Sequence, residues 1–220
     1  MDVFYSIVGF FASGGMFMYP ILIVFAVGTA IAVERFITLR EITNSNESAW
    51  KAVQPLLNNG NFDEAREMVA QEESIMSRIL NLGLARQGAV RRREDVEIAM
   101  EEGMVEVIPQ LEKRTPYVAL ASNIATLLGL LGTIMGLIQA FTAVANANPA
   151  EKADLLSASI SVAMNTTAFG LMVGIPLLVV HAVLTTKTNE IVDGLEMASV
   201  KALNVISSRA RRQAEVAEAA

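Results

Sequence analysis

The side chains of this chain best placed to do chemistry are threonines, a serine and an asparagine set among small residues on two helices without charge. Between Tyr117 and Ala147, residues Ser122, Thr126, Gly129, Thr133, Gly136, Ala140, Ala143 and Ala147 follow one another at alternating four- and three-residue steps. That spacing draws a nearly straight line along a helix, and every member is small or hydroxylated. A second line runs through Ala163, Thr167, Gly170 and Gly174 to Leu177 and His181, with Ser157, Ser161 and Asn165 beside it. Hydroxyls and amides can coordinate a cation or order water, but they do not change charge near neutral pH. Such a lining offers a path for an ion.

Helix packing is the competing reading of the same pattern. Small residues at these steps let helices approach closely, which is how helices associate in lipid. Packing accounts for Gly129, Gly132, Gly136, Gly170 and Gly174. It accounts less well for Asn165, Thr166 and Thr167, which are consecutive at mid-span, where an unpaired polar group costs on the order of a few kcal/mol. Polar groups at that depth face a bundle interior or a watery path. Thr133, Thr167, Thr166, Asn165, Ser161 and Thr126 are therefore the candidates for an ion-pathway or partner-facing side. Neither long span holds a carboxylate. If protons move here, a second polypeptide must supply the titratable acid.

The elements that carry these lines are membrane helices. The chain of 220 residues is 53% hydrophobic, and its charges are unevenly spread. Residues 13–33, 117–147 and 155–186 lack charge apart from His181, and each exceeds the ~20 apolar residues that cross a hydrocarbon core of about 30 Å. The 31 residues from 117 to 147 make about 46 Å of helix, so this span and the next are expected to project beyond the bilayer. No Lys or Arg precedes Arg35; 11 fall between Arg35 and Arg114, 5 between Lys187 and Arg212, and only Lys152 lies between the two long spans. The positive-inside tendency then places the N-terminus outside, the middle segment and the C-terminus in the cytoplasm. No basic leader precedes the first span, which is read as a permanent helix rather than a cleaved signal.

The resulting organisation is all-α: a polytopic membrane protein with three transmembrane helices, the second and third long and extending into a cytoplasmic helical domain. Its expected parts are a periplasmic or interfacial segment over 1–15, with a short helix from Val3 to Phe11, and a first span over 16–39. A cytoplasmic helical domain over 40–115 follows, then a second span over 116–147 and a periplasmic loop over 148–154. The third span covers 155–186 and a cytoplasmic helix covers 187–220, ending in an alanine-rich tail expected to fray. Within the middle domain Asn46 is expected to cap a helix over 47–57, Asn61 one over 62–71, and Ser74 to open a third. A charged helix from Arg91 to Arg114 carries Val96, Met100, Met104, Val107 and Leu111 at helical spacing; Ile191, Leu195, Ala198, Ala202, Val205 and Ile206 form a matching stripe near the C-terminus. Glu34 and Arg35 are placed to pair or reach the interface where the first span ends. Trp50 is expected to anchor the cytoplasmic helices, His181 to be a packed or interfacial histidine, and Arg91-Arg92-Arg93 to be a solvated helix start.

Other chemistries are excluded or weak. The chain has no cysteine and one histidine, and no paired acids at mid-span, which leaves no catalytic set; it is not read as an enzyme. No metal or other cofactor is expected. A net charge of −6 without a basic face does not suit nucleic acid.

Thr115-Pro116, followed by Gly129-Leu130-Leu131-Gly132-Thr133-Ile134-Met135-Gly136-Leu137-Ile138 and Phe141, resembles the second span of the MotA/TolQ/ExbB proton channel family. Thr166-Thr167-Ala168-Phe169-Gly170-Leu171-Met172-Val173-Gly174-Ile175-Pro176 resembles its third, and Gly14-Gly15-Met16, Pro20-Ile21-Leu22 and Glu34-Arg35 look like its first. Three spans favour the ExbB/TolQ-like branch over the four-span flagellar one. The resemblance implies a homo-pentamer in the bacterial inner membrane. The second and third spans would line a pore holding the single-span helices of an ExbD- or TolR-like dimer. Such a complex uses the ion motive force for transport or work at the cell envelope. The partner's membrane aspartate would be the missing acid, and Thr133 and Thr167 would face it. Many ExbB-like members carry a glutamate five residues before the threonine that aligns with Thr167; here Val162 stands there. That departure keeps a sodium-driven, stator-type subunit as an alternative, beside a non-conducting membrane scaffold.

Overall fold

The computed structural model describes residues 11, 14–86 and 93–218, and all regular structure among them is α-helical. Six helices follow in order: α1 Met18–Asn59, α2 Phe62–Gln71, α3 Ile75–Arg86, α4 Arg93–Glu112, α5 Thr115–Asn146 and α6 Lys152–Glu218. Apart from Phe11, the helix expected over Val3 to Phe11 lies outside the described residues, as do Arg91 and Arg92. Three stretches of helix are long and apolar enough to cross a membrane; they fall in α1, α5 and α6. α6 has 67 residues, about 100 Å of continuous helix, and it runs as helix through the tail to Glu218.

The helices divide into two compact units. One holds the chain up to Arg35 together with Arg114–Leu184; the other holds Phe36–Lys113 with the chain from Thr185 onward. All the candidate site residues belong to the first.

In the second unit one expectation is corrected. Helix α1 does not stop before Asn46; it runs unbroken to Asn59. The polar run Thr43-Asn44-Ser45-Asn46 contains no glycine or proline to break the helix, and the Thr43 hydroxyl is satisfied within it, donating from Oγ1 to the Leu39 carbonyl at 2.8 Å. Asn46 does cap a helix, but a different one. Its Oδ1 accepts from the Met76 amide at 3.0 Å, satisfying an orphan N–H in the first turn of α3. Ser74 opens the same helix, its Oγ accepting from the Ser77 amide at 3.0 Å. Asn61 precedes α2 without a side-chain cap; its Nδ2 donates to Glu64 instead. The α4 stripe Val96, Met100, Val107 and Leu111 is buried, and so are Ile191, Leu195, Ala198, Ala202 and Ile206 of α6. Arg93 donates to Asn204 Oδ1 at 3.3 Å and joins those two helices. Trp50 is half-buried beside Leu57, Lys201 and Val205.

The first unit is built on a close three-helix contact. Arg114 sits in the left-handed region with φ 69°, breaks α4 from α5, and pairs with Glu34 at 2.8 Å. Arg35 is buried and donates from Nε to Thr115 Oγ1 at 3.2 Å. These two bonds fix one end of α5 against α1. Further along, Gly28 lets α1 approach both neighbours: a Cβ built there would lie 3.0 Å from Ala121 Cβ and 3.0 Å from Leu177 Cδ1.

Candidate ion pathway

The glycine lines of α5 and α6 meet face to face. A Cβ added to Gly129 would lie 3.2 Å from Gly170 Cα, and one on Gly136 would lie 3.3 Å from Ala163 Cα. A Cβ on Gly170 would reach within 2.7 Å of the Ala125 carbonyl oxygen, and one on Gly174 within 3.1 Å of the Ser122 carbonyl oxygen. At Gly170 only glycine fits; at the other three an added methyl would push the facing backbone back by a few tenths of an ångström. Residue numbers rise on one helix as they fall on the other, so the pair is antiparallel, and Thr133 lies level with Thr166 and Thr167. Gly132 faces the Thr166 side chain. All five glycines of the packing set therefore lie in this seam.

Hydroxyl groups tie the seam together. Ser122 Oγ donates to the Gly174 carbonyl at 2.6 Å, and Thr167 Oγ1 to the Gly129 carbonyl at 2.8 Å. Thr166 is buried; its Oγ1 lies 2.5 Å from the Gly14 carbonyl and 2.9 Å from that of Val162. The hydroxyl of Thr166 is thus engaged inside the protomer, fastening the segment before α1 onto α6. Thr126 and Thr133 bond within their own helix, to the carbonyls of Ser122 at 3.1 Å and Leu130 at 2.6 Å. Each threonine that donates in this way keeps acceptor lone pairs for another group.

Which side each residue takes follows from about 100° of rotation per residue. Around α5 the order is Ala121, Gly132, Ala125, Gly136, Gly129, Ser122, Thr133, Thr126. The Ala121 flank meets α1 at Gly28. Around α6 the order is Val162, Val173, Thr166, Leu177, Gly170, Ala163, Gly174, Thr167; Val162 and Thr166 meet Gly15 and Gly14. In an antiparallel pair, equal offsets on the two helices fall on the same side. α1 therefore covers one edge of the seam, and Thr126, Thr133 and Thr167 share the other. Thr126 is exposed and Thr133 and Thr167 are half-exposed, framed by the exposed side chains of Leu130, Leu137, Leu171 and Leu178.

The structure does not bring the remaining candidates to this edge. Asn165, two residues before Thr167, points about 160° away around α6, and Ser161 about 120° away. Asn165 is half-buried and Ser161 exposed on that other face. His181 is half-buried. Two exposed amides on α5, Asn123 and Gln139, escape a reading based on small-residue lines because neither belongs to one. Their signal in the sequence is an amide within a charge-free stretch. Among the described residues no group of three His, Asp or Glu side chains is arranged to hold a metal ion.

A chain that is all-helical among the described residues, with three membrane-length apolar helices, two of them packed on glycine contacts, is a polytopic membrane protein. The sequence pattern of the MotA/TolQ/ExbB proton channel family matches residues 71–197, and the chain belongs to that family. It is 29% identical over 199 residues to a putative biopolymer transport protein ExbB homolog of Methanothermobacter thermautotrophicus, covering 90% of this chain and 69% of that one. It is 30% identical to biopolymer transport protein exbB1 of Vibrio cholerae, over 74% of this chain and 72% of the relative. Tol-Pal system protein TolQ of Haemophilus influenzae is 32% identical over 42% of this chain and 40% of its own length.

Proposed function

We propose that the chain is the channel-forming subunit of an inner-membrane motor that uses an ion motive force to energise transport or other work at the cell envelope. The observation that carries this reading is the open edge of the α5–α6 seam. Three threonines lie there on the side away from α1, in spans that hold no carboxylate. A lining of that kind needs a partner that brings the charge. A single-span helix of the ExbD/TolR type, with an acidic residue at mid-membrane, fits the edge between Thr133 and Thr167. The acid loses its charge penalty in the apolar span by being protonated, and threonine acceptors are suited to receive the hydrogen bond of the neutral acid.

Several copies of the chain around a partner dimer, five on the family pattern, would close the threonine edges into a pore. The N-terminus would then face the periplasm and the C-terminus the cytoplasm, in accord with the lysine and arginine distribution. Thr126, Thr133 and Thr167 line the path in this reading. Thr166 serves to fasten the fold, and Asn165 and Ser161 serve a different face. Val162 packs beside Gly15 and adds no titratable group, which leaves sodium as a second candidate for the coupling ion.

Valine in place of Thr133 and Thr167 tests the reading. Shape is nearly kept while the hydroxyls are lost, so complexes should assemble and partner-dependent ion flux should fall. Intact flux with both hydroxyls removed would instead support a non-conducting scaffold. Imposing proton and sodium gradients separately on the reconstituted pair identifies the ion.

A further inference from the structure

Asn123 lies nine residues beyond Arg114 on α5, about 13 Å along the helix from the Glu34–Arg114 ion pair. It is exposed, and its side-chain amide makes no hydrogen bond among the described residues. The residues on either side of it within the charge-free stretch include Tyr117, Leu120, Ile124 and Leu127, all exposed and apolar. An asparagine side chain reaches only a few ångströms, so within the hydrocarbon core it cannot snorkel to either interface. Left facing hydrocarbon, its amide would cost on the order of a few kcal/mol. An amide so placed implies water or a polar partner beside it.

Its position on the helix says where that water is. Around α5, Asn123 continues past Thr133 and Thr126 on the same side, away from the flank that α1 covers. Along the axis it lies about 15 Å from Thr133, with Thr126 between them and nearer to Asn123. The three make a descending polar series towards the end of the helix marked by Arg114. Towards the far end of the seam α5 exposes Leu137 and Phe141 on that side, while α6 places the exposed Ser157 there, ten residues from Thr167 as Asn123 is from Thr133.

We infer that Asn123 lines the exit of the ion path, holding a hydrated route from the threonines to the Glu34–Arg114 end of the membrane span. The inference rests on the proposed channel reading and extends it by one residue and a direction. Its amide offers both a donor and an acceptor, so it can order water or a hydrated cation without changing charge.

The chain has no native cysteine, which makes single-cysteine labelling direct. Asn123→Cys, Thr133→Cys and Ile124→Cys would be made in the assembled complex in membrane vesicles. Each is then treated with a membrane-impermeant trimethylammonium methanethiosulfonate. A thiol in water ionises and reacts, while one in hydrocarbon stays protonated, so Asn123→Cys should react about tenfold faster or more than Ile124→Cys, about 100° away. Ion flux should fall in Asn123→Leu, which keeps the volume, and return in Asn123→Ser, which restores a hydroxyl. Labelling at Thr133→Cys with none at Asn123→Cys overturns this inference and leaves the channel reading standing. Labelling at neither overturns both. Unchanged flux in Asn123→Leu likewise overturns the role assigned to the amide.

Discussion

Replacing Gly170 with alanine puts a methyl group where the two long spans touch backbone to backbone. The new Cβ would lie 2.7 Å from the Ala125 carbonyl oxygen, 2.9 Å from Gly129 Cα and 3.2 Å from Gly129 N. The first is about 0.7 Å inside ordinary contact, and no flexible side chain is available to move aside. The helices must separate by roughly that amount. The Thr167 hydroxyl, 2.8 Å from the Gly129 carbonyl, would then stretch to about 3.5 Å and cease to be a useful hydrogen bond. Overpacking costs about 1–3 kcal/mol, and an interhelical hydrogen bond in a membrane is worth about 0.6–1.7 kcal/mol. Alanine returns at most about 1 kcal/mol in helix propensity. A net loss of about 1–3 kcal/mol follows, read by reversible unfolding in mixed micelles. Gly194→Ala is the control, because nothing lies within 4 Å of its added Cβ; it should be neutral or slightly stabilising. Combined with Thr167→Val, Gly170→Ala should be less than additive, since both remove the same bond. Wild-type stability for Gly170→Ala, with full additivity in the double variant, would refute the packed seam.

Other expectations follow from single contacts. Asn46→Ala leaves the buried Met76 amide without its acceptor and should cost about 1–2 kcal/mol, with hydrogen exchange accelerated first over α3. Glu34→Gln breaks an ion pair whose side chains are 43% and 52% exposed, so stability should change by no more than about 1 kcal/mol in a thermal or chemical melt. Thr166→Val should destabilise the protomer more than Thr133→Val does, because Thr166 ties Gly14 to α6 whereas Thr133 bonds only its own helix; the same melts compare them.

Periodicity makes the three spans and the apolar stripes of α4 and the end of α6 legible, because burial in helices has a fixed repeat. The break before Asn46 did not exist, since a cap-forming residue can serve a helix thirty residues away in sequence, and the sequence does not say which. The threonines were visible as one set because hydroxyls in a charge-free helix are conspicuous. Their division into a structural Thr166, an edge of Thr126, Thr133 and Thr167, and a separate face with Asn165 was not. It depends on where α1 lies around the seam, which is fixed by contacts of Gly14, Gly15, Gly28, Glu34 and Arg35 with residues far away in the chain. Asn123 is inconspicuous in the sequence for a simpler reason: it stands off the small-residue line, one residue after Ser122.

Cross-linking from the edge to a single-span partner probes the account at its centre. Photoreactive residues would be introduced singly at Thr133, Thr167 and Asn165 in the assembled complex. Adducts with the partner's membrane helix are expected from positions 133 and 167 and not from 165. Adducts from 165 alone, with lipid captured at 133 and 167, would contradict it.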